Sequence, residues 1–205
     1  LDCPLELGCQ ETDGFKYEGK DHYLSFAGTQ YPHHWDLKKD MKIIVETVSK
    51  HFSGELPYEK YIFMTQFAPK LYGGLEHRNS TALIFDGTKL SNREDYLNWL
   101  ALVAHEYFHT WNIKRIRPVE LGPFDYQNEN YPKMLWLAEG LTSFMDDLFV
   151  YRAGLSTLEE YLGIVTKYLV RYFQTPGRRF HSLEDRIAKH KFKEIFLEES
   201  INNQG

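Results

Sequence analysis

From Leu97 to Phe108 the apolar residues run nearly all the way around a helix: Leu97, Trp99, Leu100, Val103, Ala104 and Phe108. A helix that is apolar on every side is stable only when something covers every side. The rest of the chain must therefore supply layers around this segment. Ser91 and Glu94 have the spacing of a capping box, which predicts a helix from there to about Trp111.

The segments before it can supply a sheet. "FKYEG" and "HYLSFAG" read as short strands, and so do "KYIFMTQF" (60–67) and "STALIFDG" (80–87), rich in β-branched and aromatic residues. Between them, residues 36–53 read as an amphipathic helix. Asp36 can cap it, Leu37, Met41, Ile44, Val45, Val48 and Phe52 share a face, and Gly54 ends it. After the apolar helix, a second buried helix is expected over about 133–152. A third is expected from Ser156, with Glu159 completing a capping box, to about Phe173, where "TPGRR" breaks it. The charged tail "DRIAKHKFKEIFLEESINNQG" reads as helical. Strands first and helices after predict an α+β fold: a small mixed sheet lobe over about 1–90 and a helical lobe over about 91–205.

With 205 residues the chain is long enough for one good core. Its 24 basic and 29 acidic residues, net charge −5, argue against nucleic acid as a partner. No apolar run reaches the roughly 18 residues of a membrane span. No signal peptide is visible. The chain begins with Leu1, which leads us to expect a piece of a longer protein. Cys3 and Cys9, with no other cysteine, argue against a thiolate zinc site, and leave a small disulfide loop or free thiols open. Compartment (cytoplasmic or periplasmic) and oligomeric state stay open.

The apolar helix carries "VAHEYFHTW". Residues four apart lie one turn apart on one face, so His105 and His109 can aim one ring nitrogen each at a common point. Glu106 beside them can act as a general base without being a ligand. Three polar groups in a buried helix each need a partner or cost about 1–3 kcal/mol, and one cation would satisfy all three. A catalytic zinc also needs a third protein ligand. Spacing favours Glu129, which follows His109 with 19 residues between them, in the polar loop "QNENYP". Burial favours Glu139, a lone carboxylate in the apolar run "LWLAEGLTSF". We take Glu139. Asp146 shares its helix face and is a weak candidate to orient a histidine. Lys114, Arg115 and Arg117 read as a solvated surface, and His22, His33 and His34 as loop residues.

"HEYFHTWNIKRIRP", "PFDY" and "LWLAEGLTSFMDDLFVYRAGL", with "DCPLELG", "GELPYEKYIF" and "LYGGLEHRNS" upstream, resemble the glycyl aminopeptidase family of PDZ-domain zinc metallopeptidases. The resemblance covers most of the chain. It implies a thermolysin-like gluzincin catalytic domain with one Zn2+ held by His105, His109 and Glu139, and Glu106 as catalytic base. It also implies an N-terminal β domain and a C-terminal PDZ domain in the parent protein. Peptide is the implied substrate. In related aminopeptidases a Gly-rich strand ending in an acid lines the cleft. Gly73 and Gly74 would then allow close backbone approach, and Glu76 would hold the substrate's free α-amino group. His77 stands where relatives carry Asn. Relatives also use a tyrosine from a Tyr-Tyr pair beyond the third ligand. This chain has no such pair, and none of Tyr161, Tyr168 and Tyr172 is assigned. The expected function is zinc-dependent removal of N-terminal residues. The alternatives are a zinc endopeptidase and an inactive truncated domain that binds peptide or metal.

Overall fold

The computed structural model describes residues 4–28, 31, 33–123, 125, 127–128, 130 and 132–180. Glu129, Cys3 and the charged tail lie outside them. Cys9 is an exposed thiol.

Strands β1 (Glu11–Tyr17) and β2 (Lys20–Gly28) form a hairpin. Glu18 and Gly19 both take positive φ (46° and 73°), the two-residue turn whose twist matches the strands. Helix α1 (Leu37–His51) follows, capped by Asp36, whose side chain accepts from the Lys39 amide. It ends where Gly54, at φ 78°, donates to the Ser49 carbonyl. β3 (Lys60–Phe67), β4 (Tyr72–Glu76) and β5 (Ser80–Phe85) complete a five-stranded sheet in the order β1-β2-β3-β5-β4. β2, β3 and β5 run parallel. β1 and β4 are antiparallel edges.

The buried face of the sheet is set by period-two alternation, with Leu24, Phe26, Tyr61, Phe63, Phe67, Leu83 and Phe85 at its centre. Helix α2 (Arg93–Phe108) packs on β4, β5 and α1, and α3 (Leu135–Arg152) packs on its other side. The apolar helix is therefore enclosed: Trp99, Leu100, Val103, Ala104 and Tyr107 are fully buried. Burying such side chains contributes about 1.5–3 kcal/mol each. Helix α4 (Leu158–Gln174) lies outermost, and Leu162, Leu169, Tyr172 and Phe173 are exposed on it. Among the described residues no helix is long and apolar enough to cross a membrane.

Several local expectations shift. The cap of α2 is Asn92, which accepts from the Glu94 and Asp95 amides; Ser91 closes the 3-10 turn (Gly87–Ser91) before it. "STLEE" offers two overlapping boxes, and the chain uses Thr157 with Glu160. Glu160 also pairs with Arg93 at 2.9 Å, which Glu159 does not. α3 is not enclosed: Trp136, Leu137, Leu141 and Phe144 are exposed. His22 is no loop residue. It lies in β2, 1% exposed, stacked on Phe15 and bonded through Nε2 to the Tyr58 hydroxyl at 2.9 Å.

Candidate metal centre

His105 lies in the last turn of α2 and His109 is its C-cap, so the ring centroids sit 4.7 Å apart. Each ring has its Nδ1 engaged. His105 Nδ1 is 3.0 Å from Asp146 Oδ2, and His109 Nδ1 is 2.6 Å from the Asn112 carbonyl oxygen. Both partners are acceptors, so each Nδ1 donates, and in the neutral ring Nε2 carries the lone pair that a metal ion would take. Both Nε2 atoms face one oxygen from α3. Glu139 Oε2 is 3.4 Å from His105 Nε2 and 3.8 Å from His109 Nε2. A tetrahedron with zinc bonds of about 2.0–2.1 Å has edges of roughly 3.3 Å. Two imidazoles and a carboxylate at near that spacing fit zinc in both donor type and size.

Glu106 lies in the same turn, its carboxylate within 4.8 Å of a His109 ring nitrogen. It is 4% exposed, and among the described residues its Oε2 has no hydrogen-bond partner. Burial raises its pKa to about 7, against the pull of His105 and His109. A carboxyl near neutrality can take a proton and give it back. Burial disfavours charge on both His105 and Glu139, but their mutual hydrogen bond and those to Asp146 and His109 outweigh it. His105 is pushed up and Glu139 down, the mutual pull of an imidazole and a carboxylate brought together.

Glu76 ends the edge strand β4. With Glu106 and His109 it forms a second group whose ligating atoms lie within 4.8 Å of one another. This group shares His109 with the first, so the two are adjoining parts of one cluster. Lys114 Nζ is 3.4 Å from Glu76 Oε1. β4 has only β5 as a neighbour among the described strands, so its other edge is free to pair with an extended peptide. Gly74 faces Glu106 directly. His77 is not drawn into either group; its Nδ1 meets the Leu75 carbonyl at 3.0 Å.

Residues 98–204 match the M61 glycyl aminopeptidase family. This chain belongs to that family. The fold is also similar to an aminopeptidase N family protein from Idiomarina loihiensis: 32% identity, TM-score 0.80, covering 87% of this chain and 31% of that one. The chain thus spans about a third of that relative's length. No curated protein matches it.

As an M61 domain it holds features that the sequence reading passed over. Arg115 is half-buried and engaged, not a free surface cation. Its guanidinium donates to the carbonyls of Thr110 (2.6 Å), Pro57 (2.7 Å) and Arg78 (3.2 Å) and to Asn79 Oδ1 (3.3 Å), tying the end of α2 to the loops below the sheet. Lys114 turns inward to Glu76. Asn112 reaches α3. Asp146, by contrast, was a weak candidate from the sequence; it is 8% exposed and lies against His105. Tyr168 donates to Asp147 at 3.1 Å and Tyr161 stacks on Tyr151. An Asn and two cations directly after a buried helix was the signal available, since each has to find partners in the turn that leaves it.

Proposed function

We propose that this chain is the zinc-binding catalytic domain of a metallo-aminopeptidase that removes N-terminal residues from peptides. One observation carries the reading: the Nε2 atoms of two histidines and one carboxylate oxygen converge at 3.4 and 3.8 Å, with both Nδ1 atoms held from behind. His105, His109 and Glu139 would hold the ion. A bound Zn2+ would supply Lewis acidity, making water acidic near neutral pH and polarising a carbonyl. Glu106 takes the proton from the attacking water and delivers it to the leaving amine. The free edge of β4 aligns the peptide backbone, and Gly73 and Gly74 keep that edge clear of side chains. Glu76 receives the substrate's α-ammonium by a charge-assisted hydrogen bond, displacing the Lys114 ammonium that meets it now. Cleavage next to that anchored terminus makes the enzyme an exopeptidase. The charge of Asp146 and the Asn112 carbonyl keep the histidines oriented.

The test uses Glu76→Gln in the intact protein. With an aminopeptidase, kcat/KM for free-amino substrates falls about 100-fold and cleavage of N-acetylated peptides does not. An equal effect on both, or none, favours a zinc endopeptidase with the same ligands.

A further inference from the structure

We infer that Asn112 is a positioning residue that links His109 to the helix carrying Glu139. The inference rests on the zinc-centre reading above and adds a residue to it. Asn112 acts at both ends. Its carbonyl accepts from His109 Nδ1 at 2.6 Å. Its side-chain Nδ2 donates to the Ala138 carbonyl at 3.1 Å and to Thr142 Oγ1 at 3.0 Å. Thr142 Oγ1 in turn donates to the Ala138 carbonyl at 2.6 Å. The bonded carbonyl belongs to the peptide that joins Ala138 to Glu139. Ala138 is 3% exposed and Thr142 fully buried, so water does not replace these bonds.

The first turn of α3 is closed by backbone bonds, such as that from the Leu135 amide to the Pro132 carbonyl at 3.1 Å. The N-cap of α3, Met134, makes no side-chain cap bond, and the first turn holds no acidic residue. Asn112 itself is fixed: its amide donates to the Phe108 carbonyl at 3.2 Å, at the end of α2. One residue therefore relates two helices whose ligands must meet. The tolerance is small. Glu139 Oε2 is already 3.8 Å from His109 Nε2, against the roughly 3.3 Å edge of a zinc tetrahedron. A slip of about half an ångström in α3 spoils the geometry.

Asn112→Asp keeps the size and the backbone carbonyl, and replaces the amide donor by an acceptor facing the Ala138 carbonyl. Zinc affinity is measured by competition with a chromophoric chelator, and the cobalt(II) form by its visible absorption. Chelator-treated samples are checked for folding by circular dichroism. The expected result is a folded protein with zinc affinity reduced about 10- to 100-fold and a weakened tetrahedral cobalt(II) band. A residue that served stability alone would leave both unchanged in the folded protein. Thr142→Val, which keeps shape and removes one leg of the link, is expected to lose several-fold in affinity and decides the matter if Asn112→Asp does not fold. Folded variants that bind zinc within about 2-fold of wild type overturn the inference and leave the zinc centre standing. A wild-type chain that binds no zinc overturns both.

Discussion

Gly74 leaves open the space that the Glu106 side chain needs: a Cβ built on Gly74 would fall 2.5 Å from Glu106 Cγ, with the carboxylate closer still. Glu106 is 4% exposed, so its side chain has to change rotamer within a packed environment to make room. Gly74→Ala is therefore expected to displace the general base and to lower kcat by at least about 100-fold, while zinc content stays at wild-type level. Steady-state kinetics with metal analysis on the same sample checks this. Full activity in the variant would show that Glu106 is not positioned by this contact.

Asp146 meets His105 from behind at 3.0 Å. Asp146→Ala removes the group that orients the ring and raises its basicity. Zinc affinity is expected to fall about 10- to 100-fold, read by chelator competition. Unchanged affinity would mean that the helix alone holds the ring.

Stability should depend on pH through His22. Burial in β2 lowers its pKa to about 4, from 6.5. The unfolded chain takes up a proton near pH 6.5 and the folded chain does not until about pH 4, so stability falls as pH drops through that window. The contribution is about 2 kcal/mol between pH 7.5 and 5. Urea unfolding of the metal-free protein at those two pH values should show a pH-dependent loss that is smaller by this amount in His22→Phe. Equal losses in both proteins would exclude His22 as the source.

Arg115 bonds three carbonyls and an amide oxygen from four different residues. Arg115→Met removes four bonds, three of them at exposed positions where water can replace them, and is expected to cost roughly 1–2 kcal/mol, visible as a lower urea midpoint. A change under about 0.5 kcal/mol would return Arg115 to the solvated surface.

Much of the fold was legible because it rests on short-range pattern. Period-two alternation marks β3 and β5, and Asp36 and Gly54 bracket α1. The all-round apolar character of 97–108 announces a central helix. What was not legible depends on choices between near-equal local options. "STLEE" holds two capping boxes, and the Arg93 pair with Glu160 goes with the second. α3 looks enclosed from its composition, yet Trp136, Leu137, Leu141 and Phe144 stay exposed on it among the described residues. In the site, the histidine spacing is written in one helix turn. Asp146 was suggested by sharing a helix face with Glu139, but the contacts of Lys114, Asn112 and Arg115 join segments distant in sequence, and nothing in the spacing of those residues announces them. Glu139 was preferred for burial, yet its side chain is 45% exposed in this structure. What distinguishes it is where its oxygen points.

The central claim is that His105, His109 and Glu139 together hold one zinc ion. It is tested most directly by elemental analysis of the wild-type chain, Glu139→Ala and Glu129→Ala after zinc loading and exhaustive buffer exchange. The account predicts close to one zinc per chain in the wild type and in Glu129→Ala, and almost none in Glu139→Ala. Zinc retained without Glu139, or lost without Glu129, would contradict it.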